Sequence, residues 1–434
     1  MSYLNRLLQS RATVITLLAL MLCAITVGAL VPQRFITEAP RLQAWAEGHP
    51  ALVPVAQALG LHHLYTTPGF ALLLCVCMLS LTLSTVRQCR GALRRTMAGG
   101  TANGPALRCG LQRGEIVCRL RRLGYLSLGE PGRLVRHPWG YWGNALLHLG
   151  MVLAIAASLL IALTQQRGMV WLAEGEVQRP GDRWLSSEQG LAAGGLVLPD
   201  AVRLDSVSPT FHPSYALKSL ASTLCFLPDG SAPECGVVEI NGILPRKGIS
   251  VYQGSAHGHA FFVEATSQGQ RTVYRLPIEH PGKPTEPSYA DFDLGQGTVL
   301  RTKYFVDAGK SSFDSGNPLL VLRLDRGGRD LGHLPLTVGE HGEIAGTSFK
   351  LLVVKRWSQL IFVRLTGIAA VFAGFALLLV GGALHYFAVP REVWVREEND
   401  GALVTWNVAR FNGLYAEEPA LLAEVLQSEK RIDG

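Results

Sequence analysis

Charge is scarce in this chain of 434 residues: Asp, Glu, Lys and Arg together make up 17%, against about 25% in a typical soluble domain. With 48% of its residues hydrophobic, that shortage excludes an ordinary soluble protein and points to a membrane protein with a sizeable soluble part. Several motifs are missing as well. There is no C-x-x-C-H for covalent haem, no G-x-x-x-x-G-K-[ST] loop for a nucleotide and no H-E-x-x-H pair, which argues against a transport ATPase or a membrane metalloprotease. The eight tryptophans are dispersed, with Trp139 and Trp142 where an interfacial aromatic belt is expected. No internal repeat or low-complexity tract stands out.

What is present is long apolar runs. Crossing a hydrocarbon core of about 30 Å takes about 20 residues at 1.5 Å each, and four stretches meet that length: 12–31, 68–86, 141–163 and 360–387. The first has a longer apolar core than the roughly 7 to 15 residues of a secretory signal and reads as a retained anchor.

Orientation follows from the arginines, because short loops rich in Lys and Arg stay in the cytoplasm. The loop 87–140 holds Arg87, Arg90, Arg94, Arg95, Arg108, Arg113, Arg119, Arg121, Arg122, Arg133 and Arg136 against only Glu115 and Glu130. That places the loop, the N-terminus and the tail 388–434 inside, and the segment 164–359 outside. The net charge of +7 is then a topological signal, and no nucleic acid partner is implied. The tail's last part, from Arg410, has apolar residues at helical spacing and is expected against the inner surface.

The segment 164–359 alternates short β-prone runs with turn residues. "HAFFVEAT" and "RTVYRL" flank "SQGQ", "PLLVLRL" precedes "DRGGRD", and "LPLTV" precedes "GEHGEIAG", each a hairpin pattern. At about 195 residues it fits one domain. The fold class expected is therefore four transmembrane α-helices with a large, mainly β extracytoplasmic domain inserted between helices three and four.

Cys225 and Cys235 are the two cysteines of the outer segment and flank a Pro-Asp-Gly turn. An oxidising compartment favours a structural disulfide between them, with two free thiols or a redox-active pair as the alternatives. Cys23, Cys75 and Cys77 fall in spans and act as small apolar groups. Cys89, Cys109 and Cys118 are too scattered for a zinc site.

The histidines divide by depth. His62 and His63 lie in the first outer loop, and His257 and His259 share one face of a strand; their spacing permits a metal site, but solvated surface histidines are the expected reading. His385 is placed near the headgroups at the inner end of the fourth span. His148 differs, because it sits about 10 Å into the third span by the helical rise. An ionisable side chain at that depth needs a partner. A metal ligand, haem iron in particular, and a hydrogen bond within or between helices, for instance to Asn144, are equally open on physical grounds.

The order of features resembles the ResB (CcsB) family of cytochrome c biogenesis proteins, those of system II. The first span ends in "VGALVPQR" and the second in "LSLTLSTVRQCR", "LRRLGY" precedes "GNALLHLGMVL", the outer segment holds "EINGILPRKGISVYQGS", and the fourth span runs into "LHYFAVPREVWV". The resemblance covers nearly the whole chain. It implies an assembly factor, with no enzyme activity of its own, in the bacterial inner membrane. Acting with a CcsA/ResC-like membrane partner, such a factor takes part in moving haem outward and attaching it to apocytochrome c, and any ligation activity belongs to the complex. It implies haem b as a non-covalent cargo, with His148 as one axial ligand to the iron and the second ligand from the partner. The outer domain would hold the apocytochrome or dock a thioredoxin-like reductant. Two rival readings are a b-type electron carrier, with haem held between His148 and His385, and a scaffold without haem.

Overall fold

The computed structural model describes residues 3–34, 37, 39–98, 104, 106–267, 269–295, 297–313, 316–399 and 401–427. The chain divides into two compact units, residues 1–163 with 366–434, and residues 164–365. Among the described residues four helices are long and apolar enough to cross a membrane, Arg11–Leu30, Pro68–Met97, Pro138–Thr164 and Ile368–Phe387, and they make the protein membrane-embedded. Their starts carry ordinary caps: Ser10 accepts from the Thr13 amide at 3.1 Å and Thr67 from the Phe70 amide at 3.2 Å, with Pro68 following as the first helical residue.

Two boundaries differ from the sequence reading. The fourth helix begins at Ile368 rather than at 360, because Leu360 to Arg364 close the long strand Thr347–Arg364. Leu360 and Phe362 are fully buried in the β domain, and a short apolar run reads the same way for a buried strand as for a helix. The second helix continues past residue 86 to Met97, so part of what reads as a basic loop is helix.

From Ala106 onward that stretch also folds into regular structure. Ala106–Cys109, Leu126–Ser127 and Arg133–Arg136 join the tail strands Arg391–Glu398 and Gly401–Val408 in one five-stranded antiparallel sheet. The helices Arg113–Arg122 and Glu418–Gln427 pack on it, burying Ile116, Leu120, Leu422 and Leu426 against Leu134, Val393 and Val404. Segments separated by more than 250 positions thus share one core, and the tail is a partner in a folded domain rather than a helix lying on a surface.

A buried polar knot ties this domain to the helices. The fully buried Arg133 donates to the carbonyls of Arg95 and Thr96 at 2.5 and 3.0 Å, at the end of the second helix, and to Glu392 at 3.1 Å. Tyr141, at the start of the third, bonds the same carboxylate. A helix end leaves carbonyls without partners, and here a guanidinium from a strand satisfies two of them.

The unit 164–365 is built of antiparallel sheets. In the seven-stranded sheet the two long strands Ile249–Ser267 and Thr347–Arg364 lie side by side, flanked by Gln166–Ala173 and Gln270–Glu279. Sheets of four strands form from Ser288 to Leu336 and from Val177 to Glu239. Among the described residues two large cores result, one around Phe261, Leu300, Leu322 and Phe349, the other around Leu204, Leu224, Val251 and Phe362, and a third, small cluster holds Ala173, Ala260 and Trp357. The long strands serve both, and the register of their pairing shifts between Gln253 and His257. A bulge of this kind re-aims side chains, here between the two cores.

Candidate functional site

The third and fourth helices touch backbone to backbone. A Cβ on Gly150 would stand 2.6 Å from the Gly374 carbonyl oxygen, and one on Gly374 would stand 2.8 Å from the Ala154 amide. Gly381 faces Leu147 in the same way, and Gly143 faces His385. Residues 143, 147, 150 and 154 form one stripe at helical spacing, and that stripe belongs to the fourth helix.

His148 lies off it. Five residues beyond Gly143, it is rotated about 140° around the helix from that position and displaced about 7.5 Å along the axis. It continues instead the stripe of Tyr141 and Ala145, which packs on Cys89 and Ala92 of the second helix. The ring is half-buried. Its Nδ1 pairs with the Asn144 carbonyl at 2.8 Å, and a carbonyl can only accept, so Nδ1 carries the proton and Nε2 keeps a free lone pair. No described residue bonds to Nε2. An imidazole with one nitrogen fixed on a backbone carbonyl and the other open is the usual arrangement of a metal-bound histidine. The residues present therefore fit a haem-iron ligand.

His385 does not meet it. Its backbone lies against Gly143 on the opposite stripe, and its ring packs edge-on to Tyr386 and Phe411. The structure does not bring the two histidines together, so the electron carrier with both on one haem has no geometric support.

Elsewhere the histidines depart from the solvated reading. His62 bonds the Pro32 carbonyl at 2.9 Å and meets Trp45 edge-on. His259 packs inside the β domain with Tyr304 on its Nδ1, and His257 stacks on His280 at 5.3 Å. They are enclosed because the bulge turns them between the two cores. Cys225 and Cys235 are register partners on adjacent strands with Cα atoms 4.0 Å apart, and are joined as a disulfide.

Sequence reasoning missed His280, the polar knot of Arg133, Glu392 and Tyr141, and His137. His137 adopts a left-handed conformation (φ 56°) at the turn into the third helix, where burial, followed by Arg391 and Arg136, holds its pKa below the ordinary histidine value. The signal for the knot was the pair of separate β-prone runs "RLVR" and "REVWV", each too short to be read as a strand alone.

The sequence profile of the ResB-like family matches residues 11–103 and 135–301, more than half of the chain. The chain belongs to the ResB-like family. The matched parts contain the first three membrane helices, His148 and about the first two thirds of the β domain. Among curated relatives, a cytochrome c biogenesis protein CcsB of Synechococcus sp. (strain WH7803) is 28% identical over 98% of this chain and 99% of its own length. The protein of that name from strain RCC307 is 28% identical over 78% of this chain and 76% of its own.

Proposed function

We propose that this chain works in cytochrome c biogenesis as the ResB half of a system II assembly complex, in which haem b is the cargo and His148 one of its iron ligands. The observation that carries the reading is the open Nε2 of His148. An ionisable ring inside a membrane helix marks a functional site by default, and here a carbonyl of its own helix takes only Nδ1, which leaves Nε2 available to a ligand. The missing partner is haem iron, and the second axial ligand comes from a CcsA/ResC-like membrane protein. Family membership and relatives named for cytochrome c biogenesis support this.

The protein's own groups have limited tasks in this scheme. Asn144 holds the imidazole in the ligating tautomer, and the glycine stripe fixes the third helix against the fourth, so the ring keeps its direction. The arginines of 87–140 keep the small α/β domain in the cytoplasm by the positive-inside rule, and the β domain then stands outside, in a bacterial inner membrane. There it meets the apocytochrome or a thioredoxin-like reductant.

The test is cytochrome c maturation in cells carrying His148→Ala. Maturation should be lost while the protein stays inserted and bound to its partner, and imidazole in the medium should restore part of it by filling the open iron position. Full maturation with His148→Ala would refute the assignment.

A further inference from the structure

The disulfide of the β domain sits in a row of side chains that the haem reading does not use. Cys225 lies opposite Arg203 on one neighbouring strand and opposite Cys235 on the other. Residues opposite each other share a face, so the strands Ala201–Phe211, Leu217–Leu227 and Glu234–Glu239 present Arg203, Cys225 and Cys235 in line. The pairing shifts between Leu204 and Ser206 and leaves Asp205 as the extra residue. Such a bulge re-aims a side chain, and here Asp205 Oδ2 comes to 3.0 Å from Cys225 Sγ.

The two sulfurs differ in access. Cys225 is fully buried, whereas Cys235 is exposed on the last strand of its sheet, which pairs on one side only among the described residues. A thiolate displaces one sulfur from the other along the line of their bond, and the line from Cys225 through Cys235 leads toward that free edge. Attack therefore falls on Cys235 and releases Cys225. A sheet edge is also where an extended peptide can pair, and Val237, exposed two residues further on the same face, offers it an apolar contact.

Asp205 favours the released state. Hydrogen bonds from Arg203, at 2.6 Å to Oδ1 and 3.2 Å to Oδ2, hold its carboxyl below the usual carboxylate range, so at neutral pH it only accepts. A disulfide sulfur has no proton to offer and a thiol has one. The carboxylate thus gains a hydrogen bond from Cys225 only when the pair is reduced, and the guanidinium beside it offsets the charge of the departing sulfur.

We infer that Cys225 and Cys235, with Asp205, form a thiol–disulfide exchange site for a dithiol carried on a polypeptide outside the membrane. One thiol of that polypeptide, as its thiolate, bonds to Cys235 Sγ while the bond between Cys225 and Cys235 breaks, and Cys225 Sγ takes up a proton in place of the one the attacking thiol shed. The second thiol then attacks the mixed disulfide and releases Cys235, which is protonated in turn. The polypeptide leaves oxidised to a disulfide, and the pair holds its two electrons as two thiols; in reverse, the reduced pair opens a disulfide. The inference rests on the outward placement of the β domain, and the exchange itself needs neither haem nor a membrane partner.

The experiment uses the full chain purified in detergent, with dithiothreitol and glutathione as probes and each cysteine read by alkylation and peptide mass. In the folded, oxidised protein dithiothreitol should open the bond nearly as fast as it does after unfolding in urea. Cys225→Ser should take up glutathione from glutathione disulfide on Cys235, whereas Cys235→Ser should leave Cys225 unreacted until the chain is unfolded. Asp205→Ala removes only a partly exposed ion pair from the fold. It should shift the equilibrium in a glutathione buffer about 10-fold toward the disulfide, the worth of one hydrogen bond to a charged acceptor. A bond that opens only on unfolding, uptake at Cys225 as fast as at Cys235, or an unshifted equilibrium in Asp205→Ala would each overturn the site, and none of these results bears on His148.

Discussion

Arg133 and Glu392, separated by 258 other residues in the chain, form an ion pair of 3.1 Å with side chains 0% and 7% exposed. One comes from the basic segment before the third helix and the other from the tail after the fourth, so the pair joins what the spans separate. Removing one member of a buried pair leaves the other charged and without a counter-ion, which typically costs about 3–5 kcal/mol. Arg133→Met should lower the stability of the α/β domain by that order, and Glu392→Leu added to it should recover much of the loss. Protease resistance in detergent reads both. A single variant as resistant as the unmodified protein would contradict the role given to the pair.

The contact between the third and fourth helices should be sensitive to one methyl group. Gly374→Ala places a Cβ 2.8 Å from a backbone nitrogen, whereas the same change at Gly382 meets nothing within 4 Å. Overpacking of this kind costs about 1–3 kcal/mol. Thermal unfolding in detergent should therefore shift downward for Gly374→Ala and stay unchanged for Gly382→Ala, and equal behaviour of the two would count against the packing described.

Topology can be read with a reporter active only outside the cytoplasm. It should work when inserted at the exposed turn around Gly230 and fail when fused after Gln427. Activity at the second position would reverse the orientation drawn from the arginines.

The two cysteines of the β domain should resist alkylation until a reductant is added. Mass spectrometry should find Cys225 and Cys235 blocked and Cys89 and Cys118 modified after unfolding without reduction. Modification of both outer cysteines under those conditions would remove the disulfide.

Much of this arrangement was legible in the sequence because membrane helices announce themselves by length and hairpins by turn residues. The run from Leu360 was misread because an apolar strand end followed closely by an apolar helix gives one continuous signal, broken only by "RLTG". The α/β domain was hidden because its strands before the third helix are only two to four residues long, and the two eight-residue strands that complete the sheet come after the fourth helix. Arg133 looked like one more topological arginine, since burial of a charge by a distant carboxylate leaves no local pattern. His148 was visible because depth in an apolar helix is itself a signal. His257 and His259 showed only their spacing, and the third member of the cluster, His280, comes from a position that pairing alone brings near.

The most direct measurement is the haem spectrum of the proposed complex, co-purified with a CcsA/ResC-like protein and carrying His148→Gln. Glutamine keeps a polar group near the same depth but offers iron no imidazole. The expected result is loss of haem, or retention with a changed axial-ligand signature, in a complex that is still assembled. Unchanged haem content with an unchanged bis-histidine spectrum would show that His148 does not hold the iron.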